Sequence, residues 1–148
     1  MLKLRAARID ELAALSALCL RSKAVWGYDR AFLEACRAEL TLSPLTLANV
    51  QVAESDGNVV GVAEISVEGG IAHLEKLFVE PAHLKSGAGR VLFAWAKVEA
   101  AGRGAKALVI ESDPDAAPFY RRLGARDDGV VPSGSIPGRF LPRLVLDL

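Results

Sequence analysis

The chain has 148 residues, of which 51% are hydrophobic and 24% charged. A chain of this length buries roughly two thirds of the surface that it exposes when unfolded, so we expect one domain, residues 1–148, without a stabilising disulfide or metal. The 18 basic and 18 acidic residues balance, which argues against a nucleic-acid partner or an anionic membrane surface, because both attract a basic excess.

Targeting signals and reactive cysteines are not expected either. No stretch reaches the roughly 18 apolar residues of a membrane span, and the N-terminus lacks an apolar signal core, so we expect a cytoplasmic protein. Cys19 and Cys36 lie on the apolar faces of predicted helices. Two such residues are too few and too far apart for a disulfide framework or a metal site, so we expect both in the core and no bound metal.

The first half of the chain predicts a strand, two helices and an antiparallel sheet. Residues 2–6 alternate with a period of two, apolar residues recur at helical spacing over 12–19, and Asp29 is placed to cap a second helix. The pattern then changes to strands at 50–53, 59–67 and 71–79. Asp-Gly and Gly-Gly pairs between these runs favour two hairpins.

The second half predicts alternating helices and strands. In order, we expect a helix at 89–101, a buried strand at 107–110, a helix that starts at Pro114 and ends before Gly124, and strands at 126–131 and 140–146. The order βααβββαβαββ predicts a mixed α/β fold: a mostly antiparallel central sheet with one right-handed parallel crossover and helices on both faces. A ligand would bind at the C-terminal ends of the two parallel strands.

The segment LEKLFVEPAHLKSGAG, residues 74–89, joins the third of these strands to the following helix. Glycines before a helix direct backbone N–H groups and the positive end of the helix dipole at one point, which suits a phosphate-bearing ligand. A nucleotide-triphosphatase loop is excluded because no Lys-Ser or Lys-Thr follows the glycines. A dinucleotide fingerprint is disfavoured because Leu92 occupies the third glycine position and the loop is too long, although Glu111 lies at about the expected distance of 20 residues.

Three segments resemble the GNAT superfamily of acyl-CoA N-acyltransferases. Residues 84–89, LKSGAG, resemble its [Q/R]xxGx[G/A] loop; residues 74–81, LEKLFVEP, resemble its fourth strand; and residues 119–125, FYRRLGA, with Asp113 upstream, resemble its NxxAxxFYxxxGF helix. The order and spacing agree over essentially the whole chain. The resemblance implies the GNAT fold and an acetyl-CoA-dependent N-acetyltransferase, whereas the alternative is a coenzyme A-binding module with weak or no transferase activity.

The resemblance also implies which residues bind coenzyme A. The backbone of the fourth strand pairs with the pantetheine amides, the loop N–H groups bind the pyrophosphate, and glycines at 87 and 89 allow close approach. Two positions depart from the family. Leu84 stands in place of Gln or Arg, so one side-chain contact to a phosphate is missing. Asp113 stands in place of Asn, so the amide contact to the cofactor at that position is in doubt. The predicted cofactor-binding residues are Leu77, Phe78, Val79, Leu84, Lys85, Ser86, Gly87, Ala88, Gly89, Arg90, Asp113 and Tyr120.

Acyl transfer to an amine needs a base for the amine and an acid for the departing thiolate. Glu75 and His73 are two residues apart on one predicted strand, which places them on the same face. We expect Glu75 to be the base, with His73 or a water as the alternatives. We expect Tyr120 to be the general acid, because a phenol can supply a proton at neutral pH.

Part of the acceptor side is predicted from the resemblance. Trp26 and Tyr28, with Lys23 just before them, lie in the connection between the first two helices, which lines the acceptor cleft in the family. Arg139 lies in a Pro/Gly/Ser-rich loop and could hold a carboxylate of the acceptor by a bidentate pair. We expect direct transfer in a ternary complex to a primary amine of a small molecule or peptide, and a homodimer stays open.

Overall fold

The computed structural model describes residues 1–148, which form seven strands and four helices. They are β1 (Leu2–Ala6), α1 (Leu12–Ala24), α2 (Arg30–Leu40), β2 (Val50–Ser55), β3 (Asn58–Glu68), β4 (Ile71–Val79), α3 (Ala88–Gly102), β5 (Ala107–Glu111), α4 (Ala117–Arg122), β6 (Arg126–Pro132) and β7 (Phe140–Asp147). Short 3-10 turns precede α1, β2 and α3. The predicted order βααβββαβαββ is confirmed.

All seven strands belong to one sheet with the order β1-β2-β3-β4-β5-β7-β6. Every neighbouring pair is antiparallel except β4 and β5, which are parallel and joined through α3. The predicted mixed sheet with a single parallel crossover is therefore confirmed. None of the helices combines the length and apolar character that crossing a membrane requires.

The helices cover both faces of the sheet. Val62 and Ala63 are adjacent in β3 and both fully buried, yet Val62 packs with α1 and α2, whereas Ala63 packs with α3. Cys19 and Cys36 lie in the α1/α2 core, as predicted. Strands β2 and β3 thus contribute side chains to two cores, which explains their high apolar content.

Two helices differ from the sequence-based expectation. Helix α4 begins at Ala117 rather than at Pro114, because the Asp113 carbonyl accepts the N–H groups of Ala116 and Ala117 and closes a turn first. The helical spacing of Val91, Leu92 and Val98 predicts that Val98 lies on the packed face of α3, but Val98 is 74% exposed and Phe93 is buried instead. The α3 face that packs on the sheet is therefore rotated from the predicted one.

Strand β4 contains a bulge that separates its two halves. Leu74 pairs with Ile65 of β3 and Lys76 pairs with Glu64, so Glu75 is an extra residue without a partner. Before the bulge β4 pairs with β5, but that pairing covers only residues 71–73 of β4. Beyond it the two strands separate, and a gap opens at their C-terminal ends.

Candidate active site

A cavity of about 890 Å³ lies in the gap between β4 and β5. Its walls come from the second half of β4, the loop into α3, the residues that follow β5, helix α4 and the C-terminal part of α1. This is the C-terminal end of the parallel strand pair, where the crossover topology places a ligand site.

Most of the predicted site residues share this cavity. Those on its wall are Trp26, Glu75, Leu77, Phe78, Val79, Leu84, Lys85, Gly87, Ala88, Gly89, Arg90, Asp113 and Tyr120. Four other predicted residues, His73, Tyr28, Ser86 and Arg139, are not on the wall. His73 is half-buried where β4 still pairs with β5, opposite Val109.

The loop before α3 leaves several backbone donors free. Gly87 caps the helix at φ 91° and Lys85 has φ 69°, both in the left-handed region. In this loop the N–H of Ser86 donates to His83 and that of Ala88 to the Ser86 hydroxyl. The N–H groups of Lys85, Gly87, Gly89 and Arg90 donate to no protein acceptor. Four free donors at a helix N-terminus fit a pyrophosphate.

Gly89 allows close packing around the start of α3. A Cβ on Gly89 would lie 3.3 Å from the Phe119 ring and 3.7 Å from the Val79 side chain. Its missing side chain therefore lets α3 lie close to α4 and β4. Gly87 is the glycine that the loop conformation itself requires, because its positive φ disfavours other residues.

The second half of β4 presents backbone groups to the cavity. The Glu80 N–H donates to the Val60 carbonyl of β3 at 2.8 Å, so Glu80 and Val60 form a hydrogen-bonded pair. Along two antiparallel strands, hydrogen-bonded pairs of opposite residues alternate with pairs that are not hydrogen-bonded. The backbone of Phe78 therefore bonds to β3, and that of Leu77 and Val79 points away from it. Because β5 has diverged, these groups face the cavity. The Phe78 N–H is engaged with β3, whereas the Val79 N–H is free to polarise a bound carbonyl.

Tyr120 is buried and belongs to the cavity wall. The residue is 6% exposed and packs against Phe93 and Phe119, with ring centroids 5.6 and 5.1 Å away. Burial alone raises the pKa of the phenol above its ordinary value, and no hydrogen bond to the protein contributes. The hydroxyl is therefore protonated at neutral pH and free to donate to a ligand.

Glu75, the extra residue of the bulge, lies on the cavity wall without a hydrogen-bond partner in the protein. Desolvation raises the pKa of its carboxyl, the charge of His73 opposes this rise, and Glu64 adds to it. A carboxylate with a raised pKa is a better proton acceptor than an ordinary one, which is what a general base requires.

A cluster that the sequence did not predict lies beside the cavity and joins residues from three separate parts of the chain. The Tyr28 hydroxyl donates to Asp113 Oδ2 at 2.6 Å, and Arg139 Nη2 donates to the same hydroxyl at 2.6 Å. Lys23 Nζ lies 3.6 Å from Asp113 Oδ2. Desolvation, followed by the bond to Asp113, raises the pKa of Tyr28 to about 12, so this phenol stays neutral. We call Lys23, Tyr28, Asp113 and Arg139 the Asp113 cluster.

Replacing Asp113 by asparagine, the residue usual in the family, is expected to destabilise this protein by about 2 kcal/mol, because it leaves two mostly buried cations without their anion. Chemical denaturation measures the change. The matched control is Asp115→Asn, since Asp115 is exposed two residues away on the same turn. Equal stability of the two variants would contradict a stabilising role for the cluster.

Comparison with known proteins identifies the family of this chain. Residues 16–131 match the family model described as acetyltransferase (GNAT) domain, whereas no curated protein matches the sequence significantly. PaiA N-acetyltransferase of Thermoplasma acidophilum, solved with coenzyme A, superposes with a TM-score of 0.80 at 16% identity, over 100% of this chain and 99% of that one.

Two structures from Brucella melitensis are also similar. A ribosomal-protein-alanine N-acetyltransferase has a TM-score of 0.70 at 25% identity, over 99% of both chains. A GNAT family acetyltransferase in complex with acetyl-CoA has a TM-score of 0.67 at 23% identity, over 99% of this chain and 88% of that one. With the family match covering most of the sequence and the split sheet and glycine loop in place, the chain belongs to the GNAT family and is an acetyl-CoA-dependent acetyltransferase.

Proposed function

We propose that this protein transfers the acetyl group of acetyl-CoA to a primary amine of a small molecule by direct transfer in a ternary complex. The observation that carries the proposal is that one cavity collects free N–H groups at a helix N-terminus, an unpaired strand edge, an unpartnered phenol and a carboxylate with a raised pKa.

Coenzyme A fits the donors on the cavity wall. The free N–H groups between Lys85 and Arg90 would hold the pyrophosphate, and the backbone of Leu77 together with the Val79 carbonyl would hold the pantetheine amides as an added strand does. When bound, acetyl-CoA supplies the acetyl thioester. Leu84 lines the cavity at 48% exposure but offers no hydrogen-bond donor, so the main chain contributes most of the phosphate binding.

The proton transfers and the polarisation of the thioester carbonyl are assigned to groups of this chain. Glu75 takes a proton from the acceptor amine, directly or through a water, because its pKa is raised and it lies on the wall. The N–H of Val79 polarises the carbonyl under attack. The Tyr120 hydroxyl donates its proton to the departing thiolate.

Direct transfer is favoured because the cavity wall has no cysteine. Cys19 and Cys36 are both buried in the α1/α2 core. Burial raises the pKa of Cys19 to about 12, so this thiol is not ionised at neutral pH. An acetylated cysteine intermediate therefore has no residue to carry it.

A small acceptor is favoured by the walls on the acceptor side. Trp26 from the α1–α2 connection lies on one side, and Pro132 and Gly134 from the end of β6 and the following loop lie on another. A small acceptor amine would bind between these walls. The relative that acts on a ribosomal-protein alanine supports a peptide N-terminus as the alternative acceptor.

Two measurements test the proposal. Thermal-shift titration should show stabilisation that grows with acetyl-CoA concentration and none with NAD, and an absent acetyl-CoA response would overturn it. Thiol release from acetyl-CoA is then measured over a panel of small amines and alanine-ended peptides. Turnover of a small amine supports the proposal, turnover of peptides alone supports the alternative acceptor, and binding without any turnover indicates a coenzyme A-binding module.

Leu84→Arg is expected to lower the KM for acetyl-CoA about three- to fivefold, because it supplies the cation that the family usually places at this exposed position of the loop. Steady-state kinetics at two salt concentrations measure the gain, which should shrink at high salt. Leu45→Arg is the matched control, since Leu45 is 95% exposed and outside the cavity wall. A similar gain in both variants would reflect net charge and contradict a local contact.

A further inference from the structure

The Asp113 cluster carries more positive than negative charge. Asp113 is its only carboxylate, whereas Lys23 and Arg139 both lie within 4 Å of Oδ2, at 3.6 and 3.5 Å. Tyr28 is neutral because its pKa is raised to about 12. The cluster therefore has a net charge of about +1 beside the acceptor side of the cavity.

The two cations do not have equal roles. Arg139 donates to the Tyr28 hydroxyl, and its guanidinium lies 5.1 and 4.8 Å from the ring centroids of Tyr28 and Phe32. It is not on the cavity wall. The charge of Arg139 thus offsets the charge of Asp113. We expected Arg139 itself to hold an acceptor carboxylate, but its side chain is engaged with Tyr28 and Asp113 and lies off the cavity wall.

Lys23 is the cation that faces the cavity. Its side chain is only 15% exposed and lies on the cavity wall. The distance of 3.6 Å to Asp113 exceeds hydrogen-bonding distance, and the nearest rings, Tyr28 and Phe32, are 5.7 and 6.0 Å from the ammonium. The Lys23 ammonium is largely desolvated, and its one anionic neighbour, Asp113, is shared with Arg139. A further anion in the cavity would therefore stabilise the ammonium.

We propose that Lys23 binds a carboxylate of the acceptor, so that the acceptor is an amino acid or a similar amino carboxylate. The inference rests on the proposed function. Glu75 and Lys23 lie on the wall of the same cavity and carry opposite charges, which matches a molecule with an amine at one end and a carboxylate at the other. Arg139 is then a positioning residue, because it offsets Asp113 and leaves the charge of Lys23 available.

The test compares acids with their uncharged amides, which have nearly the same size. Candidate pairs are β-alanine with β-alaninamide, and phenylalanine, glutamine or methionine with their carboxamides. The readout is the ratio of kcat/KM for the acid to kcat/KM for the amide, from thiol release. We expect this ratio to fall at least about tenfold in Lys23→Gln, mainly through KM of the acid, because a charge-assisted hydrogen bond is lost.

The amine of an amino acid and the amine of its amide differ in basicity. This difference affects every variant equally, because each variant is assayed with the same pair of substrates, so it cancels when the ratios of two variants are compared. Lys23→Arg should recover part of the ratio, since it restores the charge. Lys106→Gln is the matched control and should keep the wild-type ratio, because Lys106 is exposed and lies outside the cavity wall.

Failure of the inference and failure of the proposed function give different results. An equal ratio in wild type and Lys23→Gln, with amides turned over well, would overturn the inference and leave the acetyltransferase function intact. No turnover of any amine in the panel would overturn both.

Discussion

Tyr120→Phe is expected to lower kcat about 100-fold while the melting temperature stays close to that of the wild type. The loss follows from removing the proton donor for the thiolate, since general acids contribute 100-fold or more. The fold is expected to persist because the Tyr120 ring keeps its packing with Phe93 and Phe119, and its hydroxyl has no hydrogen bond to the protein. Steady-state kinetics and a thermal melt measure the two effects.

The only other tyrosine supplies the control. Tyr28→Phe removes a hydroxyl that donates to Asp113 and accepts from Arg139, so we expect its main effect to be a lower melting temperature. The two variants should therefore separate catalysis from stability. If Tyr120→Phe retains the wild-type kcat, the thiolate takes its proton from another group and the role assigned to Tyr120 is wrong.

Glu75→Gln is expected to lower kcat/KM for the amine about 100-fold at neutral pH, because an amide cannot accept the proton. In the wild type, kcat/KM should rise with pH as Glu75 loses its proton, since a base works in its deprotonated form. Desolvation raises the pKa of Glu75, so this rise falls above the pH range of an ordinary glutamate. A pH profile of kcat/KM from pH 4 to pH 8 measures both the loss of activity in Glu75→Gln and the rise of the wild-type activity with pH.

Glu68→Gln is the control for Glu75, because Glu68 is exposed on β3 opposite Ile71, at the other end of the sheet. His73→Gln tests the alternative base. A profile that survives Glu75→Gln but disappears in His73→Gln would assign the proton transfer to His73. A profile that survives both variants would leave a water held by the backbone as the acceptor.

The order of elements could be predicted because each element leaves a local pattern. The alternation in β1, the Asp-Gly turn between β2 and β3 and the capping Asp29 act over a few residues. The Asp29 side chain accepts the Phe32 N–H at 2.8 Å, as expected of an N-cap. The start of α4 was missed because two prolines, Pro114 and Pro118, both suit a first turn, and Asp113 decides between them.

The bulge in β4 could not be predicted from the strand itself. Leu74, Glu75 and Lys76 fit a regular alternation as well as an interrupted one. In the structure Lys76 Nζ reaches Glu64 Oε1 on β3 at 3.1 Å, and both side chains are about nine-tenths buried. A buried ion pair is costly to break, so the register that forms it is favoured. That partner lies on another strand, which the local sequence does not reveal.

The two halves of the site differ in the same way. The loop at 84–89 and the FYRRLGA segment are contiguous motifs, so their residues could be assigned one by one. The Asp113 cluster joins Tyr28 to Asp113 over 85 positions and Tyr28 to Arg139 over 111. No spacing rule connects such residues, and only the presence of Asp113 in place of Asn hinted that this position has a different partner.

The separation of β4 and β5 also has a consequence for aggregation through strand pairing. An unpaired strand edge on the outside of a sheet is a template for another chain. Here the open edges of β4 and β5 face each other in the middle of the sheet, with α1 and α2 over one face and α3 and α4 over the other. The protein thereby keeps a strand edge open for its ligand without offering it to aggregation.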